Sequence, residues 1–288
     1  MGLRSQLYLA RGNKYLDDGE LEKAKDAFQK AVEADSKSSS SWYNLGLVHK
    51  FTKNWVESLS CNQRAADLNP KNQAAWWNMG IAATALGQWP EARRAWTGFG
   101  LKIPAGEGEI IVDYDSTPIR LTANSTGEVV WCDRIDPARA VIRNVPLADS
   151  GHRYKDVLLH DGAPNGYRTS FGREVPVFDA LQLLKASAYA TYELSLQIAS
   201  QADIDALVAM GAERDIWIEN RRNLQYLCHE CSLGNPSEYT FESAPANADP
   251  VVVGVASQTK DAVQILIANW LEAHSHCALL KSEIVLSA

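Results

Sequence analysis

Between Tyr8 and Pro104 the small and apolar residues recur at a fixed interval, with Gly12, Gly46 and Gly80 each 34 residues apart. Tyr8, Trp42 and Trp76 keep the same phase four residues before each glycine, and Ala24, Ser58 and Ala92 keep it twelve after. Phe28, Asn62 and Trp96 follow, then Ala31, Ala65 and Phe99. A period of this size predicts stacked helical hairpins, with small residues where two helices cross and large ones filling the gaps between repeats.

Beyond Glu109 the pattern shortens. Ile110-Ile-Val, Ile119-Arg-Leu, Glu128-Val-Val-Trp-Cys, Ala140-Val-Ile-Arg, Asp156-Val-Leu-Leu-His and Val175-Pro-Val-Phe read as short strands, separated by turn-rich pieces such as Asp161-Gly-Ala-Pro-Asn-Gly166. A small sheet or barrel is expected there. From Tyr189 the grammar changes again: a strand at Tyr189 to Ile198, a helix near Asp203 to Met210, a strand at Val251 to Val255, a helix near Lys260 to His274 and a strand at Glu283 to Leu286. Ala-Ser-Gln stands between strand and helix in both halves, 57 residues apart, which suggests a duplicated β-α-β unit and hence a ferredoxin-like α/β sandwich. Ala244 to Pro250 is the expected loop between the halves.

The first region resembles the tetratricopeptide repeat (TPR) family. Trp42-Tyr43-Asn44-Leu45-Gly46 and Trp76-Trp77-Asn78-Met79-Gly80 match the family's first-helix signature, and Pro70 and Pro104 match its closing proline. The first repeat has Ser36 at that proline, and the second has Asn62 at the usual aromatic position. The resemblance implies three helical hairpins and a concave surface that binds other proteins, without catalysis. Its inward-facing positions fall on Leu9, Asn13, Leu16 and Asp17, then Tyr43, Leu47, Lys50 and Phe51, then Trp77, Ile81, Thr84 and Ala85. Asn13, Asp17, Tyr43, Lys50, Phe51 and Trp77 are the expected partner-binding residues, with the three aromatics as apolar anchors. Adaptors of this family that clamp the acidic tail of a chaperone use lysines where Leu9 and Ala74 stand here; Asn13 and Asn44 are two neutral amides and poor compensation for a desolvated carboxylate.

The expected architecture is therefore multidomain α+β: a TPR array over 1–104, a β-rich segment over 105–188 and an α/β sandwich over 189–288, the last two open to being one domain. Composition adds the compartment. With 46% hydrophobic and 22% charged residues and no run near the roughly 18 apolar residues of a membrane span, a soluble protein with no membrane partner is expected. The start Met1-Gly2-Leu3-Arg4-Ser5-Gln6 lacks an apolar signal core and fails the myristoylation pattern at Gln6. The five scattered cysteines suit reduced thiols, so a cytoplasmic setting is expected.

Charge divides the chain. Residues 1–104 carry 14 Lys+Arg against 10 Asp+Glu, and the remainder 14 against 25, so the acidic surplus lies outside the repeats. That balance disfavours nucleic acid and favours either a basic protein partner or plain solubility. The segment Glu213 to Arg222, with its arginine pair and Trp217, reads in this context as a solvated strand or loop. Cys228-His229-Glu230-Cys231 offers two thiolates to zinc, with His274, His276 or Cys277 as further ligands, but no second paired knuckle follows. Incidental thiols are the expected reading, and neither a metal nor a cofactor is assigned. His152 and the adjacent His160-Asp161 lack the orienting geometry of a triad, and no nucleophile elbow, phosphate loop or dinucleotide fingerprint occurs.

Three functional readings remain. A short TPR array joined to an acidic α/β region is similar in architecture and charge to bacterial immunity proteins, which neutralise a toxic effector such as a nuclease. The alternative is a general TPR scaffold or co-chaperone, with an enzyme built on residues 105–288 third.

Overall fold

The computed structural model describes residues 2–112, 114–121, 127–170, 172–223 and 250–288. The chain divides into two compact units: Met1–Asp113 with Ile135–Arg139, and Tyr114–Arg134 with Ala140–Ala288.

The first unit begins with six helices: α1 (Leu3–Asp17), α2 (Leu21–Ala34), α3 (Ser39–Phe51), α4 (Trp55–Leu68), α5 (Gln73–Ala85) and α6 (Trp89–Phe99). They pair as α1/α2, α3/α4 and α5/α6, as the period of the sequence requires. The glycines explain why. A Cβ on Gly12 would stand 2.4 Å from the Phe28 ring, and one on Gly80 would stand 2.5 Å from the Trp96 ring, so only glycine lets the paired helix approach this closely. At Gly46 the neighbour is Asn62, whose amide donates to the Ser58 carbonyl at 2.8 Å. Hydrogen bonding there replaces the aromatic filler of the other two repeats. Ser38 and Asn72 cap α3 and α5, their side chains accepting from the backbone N–H of Ser41 (3.2 Å) and Ala75 (3.1 Å).

Behind the last helix the chain turns back. Gly100 ends α6 in the left-handed conformation with φ of 105°. Arg93 then donates to the carbonyls of Pro104 (3.0 Å) and Gly108 (2.5 Å). Arg139 donates to the carbonyl of Ile110 (2.7 Å), pairs with Asp136 (2.5 Å) and Glu109, and lies 4.7 Å above the Trp89 ring. Ile110-Ile-Val, expected as a strand, is therefore not one. Ile110 is buried and its carbonyl is held by a guanidinium rather than by a ladder.

In the second unit five strands close a barrel in the order β1 (Thr117–Arg120), β2 (Val129–Arg134), β3 (Arg139–Ile142), β4 (Val157–His160) and β7 (Phe178–Lys185). Closure comes from a parallel pairing of β1 with β7, where Ile119 faces Phe178 and Arg120 faces Asp179. Ile119, Val130, Cys132, Ile142 and Leu158 fill the interior. The strand expected at Val175 to Phe178 is split: β5 (Tyr167–Ser170) and β6 (Arg173–Pro176) form a separate hairpin, and β7 starts after Val177.

The rest of the unit is an antiparallel sheet of β8 (Ala190–Gln197), β9 (Trp217–Asn220), β10 (Val251–Ser257) and β11 (Ala278–Leu286), in the order β11-β8-β10-β9. Helices α7 (Gln201–Ala212) and α8 (Lys260–Ala273) follow β8 and β10. Leu194, Leu196, Val253 and Val255 share one core cluster with Ile204, Leu207, Leu266 and Trp270 of the helices. Alternation along the strands thus puts one face under both helices. Barrel and sheet are joined by Arg221, which donates to the carbonyls of Val145 (2.6 Å) and Pro146 (3.1 Å), and by Asp156, which accepts from the Ser187 N–H at 2.8 Å. The expected linker between halves, Ala244 to Asp249, lies outside the described residues.

Candidate functional site

The repeat face holds the residues expected to meet a partner, in unequal states of exposure. Asn13 and Asp17 on α1 are exposed, and the Asn44 amide donates to the Asn13 carbonyl oxygen at 3.2 Å. That bond puts α1 and α3 side by side on one surface. Phe51, at the end of α3, is 45% exposed, while Tyr43 on the same helix is half-buried. Lys50, the one basic residue among those expected to meet a partner, is enclosed. It is only 4% exposed, with its ammonium 5.3 Å above the Phe51 ring. A cation there backs the phenyl ring instead of reaching into solvent.

Trp77 is half-buried. Its ring meets Trp96 edge-on at 5.0 Å and Phe99 at 4.7 Å, and its indole N–H is enclosed without an acceptor. It closes the last hairpin as much as it faces outward. A second feature of the first repeat escaped sequence reasoning: Tyr8, Arg11 and Tyr15 of α1 and Lys23, Asp26 and Lys30 of α2 line a groove of about 160 Å³. Arg11 donates to the Tyr15 hydroxyl at 3.1 Å, so part of this basic wall is already engaged.

Elsewhere the candidate acid and base groups are built into the fold. His160 is fully buried, with Nδ1 2.7 Å from the Asp161 carbonyl and Nε2 unpartnered. Burial holds its pKa down at about 4, so it is a neutral imidazole at ordinary pH. His152 stands 3.6 Å from the buried Asp156. Lys155, Tyr189 and Asp215 form a tighter group: Lys155 donates to the Tyr189 hydroxyl (2.9 Å) and Asp215 (3.0 Å), and Tyr189 donates to Asp215. The Tyr189 hydroxyl, then the Lys155 ammonium, holds the Asp215 carboxyl below its usual range. The group ties a residue beside β4 to one beside β9, and the backbone is left-handed at both Lys155 (φ 65°) and Asp215 (φ 55°). Tyr154 stacks on Trp217 at 5.5 Å over the same seam.

Cys61, Cys132 and Cys277 are free and buried. Burial pushes Cys61 up to about 12, which leaves an inert thiol. Cys228 and Cys231 lie outside the described residues. His276 and Cys277, considered with them from the sequence, lie beside Asp203 at the start of α7.

No family model matches the chain, and no curated protein matches it. Among the solved structures similar to it are TPR domains, which align with about a third of its length. The second TPR of Spaghetti (RPAP3), bound to the HSP90 peptide SRMEEVD, is 21% identical over 34% of this chain and 90% of that one, with a TM-score of 0.33. The TPR2B domain of yeast Sti1, in a complex with pHsp70, is 12% identical over 34% and 78%, also at 0.33. MamA is 24% identical over 33% and 56%, at 0.32. At these scores the description of the repeat unit rests on its own helices, glycine contacts and turns.

Proposed function

We propose that the chain is a non-catalytic protein-binding module that receives a partner on the repeat face carrying Asn13, Asp17, Tyr43, Lys50, Phe51 and Trp77. In its specific form the reading is a cytoplasmic bacterial immunity protein that binds and occludes a basic toxic effector such as a nuclease. The observation that carries the binding reading is Phe51. It is a large apolar side chain left 45% exposed beside half-buried Tyr43, whereas Phe28 and Trp96 of the flanking repeats are wholly buried. An exposed aromatic flanked by polar groups is the usual composition of an interface anchor.

The basic character of the partner is supported by charge. The 25 acidic against 14 basic residues beyond position 104 would steer a cationic protein into rapid association. Leu9 and Ala74, where a carboxylate clamp has lysines, argue against such a clamp, since Asn13 and Asn44 offer an anion only neutral amide donors. The strand order β11-β8-β10-β9 with helices after β8 and β10 supports reading the acidic region's sheet as a ferredoxin-like sandwich.

The test is capture of a basic partner from the native host, followed by titration of that partner's activity with this chain. Stoichiometric suppression, with association slowing steeply as salt is raised, is the expected result. Phe51→Ala should then weaken binding by about 2 kcal/mol or more, roughly thirtyfold. A partner whose activity is untouched would favour the general scaffold, and an acidic partner would remove the immunity reading. Phe51 is preferred to Trp77 for this purpose because truncating Trp77 also strips contacts from Trp96 and Phe99.

A further inference from the structure

Three groups of different chemistry meet where α7 begins and the chain approaches β11. Asp203 closes the capping box of α7: its Oδ2 accepts from the N–H of Ala199 (3.1 Å), the N–H of Ser200 (2.8 Å) and the Ser200 hydroxyl (3.3 Å). This leaves Oδ1, which stands 2.9 Å from Nε2 of His276. Cys277 places its thiol at the same spot. One ligand atom from each of the three residues lies within 4.8 Å of the other two.

A capped helix needs neither the imidazole nor the thiol. Nor is this the arrangement of a thiol nucleophile. Burial, and then the neighbouring Asp203 charge, pushes the Cys277 thiol up, and Nε2 of His276 faces the carboxylate. What the set does match is the ligand chemistry of a borderline-soft cation: one thiolate, one imidazole and one carboxylate. Magnesium and calcium, which take oxygen ligands, do not suit it.

We propose that Asp203, His276 and Cys277 form a three-ligand site for a zinc-type divalent ion, with solvent in the fourth position. In tetrahedral coordination with metal–oxygen and metal–nitrogen bonds of about 2.0–2.1 Å, neighbouring ligand atoms stand roughly 3.3 Å apart. The 2.9 Å contact between Asp203 and His276 has to open by only about half an ångström. On binding, the Cys277 thiol releases its proton to solvent, and His276 gives up the Nε2 hydrogen that faces Asp203 and keeps its ring proton at Nδ1, so that thiolate and imidazole nitrogen both reach the ion. The His276 side chain is 53% exposed, which gives the ion a route in and a water ligand.

The surroundings already hold the ligands in place. The three donors on Oδ2 fix the carboxylate, and the Trp270 indole N–H donates to the Asp203 carbonyl at 2.9 Å. His274 stacks on Trp270 and stands edge-on to His276 with ring centroids 6.1 Å apart. An ion here would pin the start of α7 to the start of β11, 73 residues further along the chain.

The test uses the full chain, stripped with chelator and titrated with Zn²⁺ and Co²⁺. A Cys228→Ser/Cys231→Ser background removes the other paired thiols from consideration. In that background one Co²⁺ per chain should give the intense visible bands of a tetrahedral ion and a near-ultraviolet thiolate-to-cobalt band. Adding Cys277→Ser should abolish the near-ultraviolet band. His276→Ala, at an exposed side chain where folding is not at risk, should weaken binding at least about tenfold and remove the rise in melting temperature that Zn²⁺ produces. Failure of the background to bind cobalt, survival of the thiolate band in Cys277→Ser, or unchanged affinity in His276→Ala would each overturn the site.

Discussion

At single positions, backbone conformation and solvation decide what each side chain contributes. The turns inside the three hairpins place Gly19, Lys53 and Gly87, again 34 apart, in the left-handed region, with φ of 74°, 57° and 66°. Two are glycine, for which that conformation is free; the middle one is lysine, for which it costs roughly 1–2 kcal/mol. Lys53→Gly removes that strain and gives back about 0.5–1 kcal/mol through the freer unfolded chain. A net stabilisation of roughly 0.5–1 kcal/mol is expected, read as a higher urea midpoint, whereas the same change at a helical lysine should lower it. His160 carries the opposite kind of tension. It is a base whose pKa falls on folding to about 4, because burial resists its charge. Below its unfolded value of about 6.5 the unfolded chain takes up a proton that the native chain refuses, so stability is intact above that pH and is lost as pH falls towards 4. The loss approaches about 3 kcal/mol at the acid end. His160→Gln, which still donates to the Asp161 carbonyl, should flatten the stability profile across that window; an unchanged profile would show that His160 is not the group responsible.

Between elements, what counts is how a helix or turn is finished. The repeat unit ends on α6 and on the segment folded back behind it, held by Arg93 and Arg139. Arg139 faces a wholly buried Asp136, whose carboxyl burial pushes up despite the guanidinium. Removing one partner of a buried pair leaves an uncompensated charge, so Arg139→Met should cost about 3 kcal/mol in urea unfolding at neutral pH. Arg139→Met/Asp136→Asn should regain part of it, because Asn keeps an acceptor for the N–H groups of Ala138 and Arg139, both at 2.8 Å, without the charge. If the double variant is as unstable as the single, the buried charge is not what the pair protects against. The helices and most strands of the fold were legible from periodicity because hydrogen bonds and alternation are local. Ile110-Ile-Val misled because an apolar triplet reads as a strand whether it joins a ladder or is enclosed by an arginine from 29 residues away. The strand expected at Val175 to Phe178 merged the end of β6 with the start of β7, because the pairing of Ile119 with Phe178 that begins β7 is not visible locally.

For the molecule as a whole, the repeat period, the strand and helix alternation after Tyr189 and the unequal division of charge follow from the order of residues alone. They depend on spacings of a few turns or strands. The positions expected to face inward differ in exposure, which spacing alone does not record. Lys50 and Phe51 are neighbours in sequence, yet one is buried and the other open, because the helix turns about 100° between them and the adjacent hairpins cover only one side. Tertiary structure alone decided that Lys155, Tyr189 and Asp215 form one cluster, that β1 closes on β7, and that Asp203 meets His276 and Cys277. Each of these joins residues 26 to 74 positions apart. Sequence patterns record the periodicities that build an element; which side chains meet across elements is fixed by packing, where a few tenths of an ångström separate a contact from a clash.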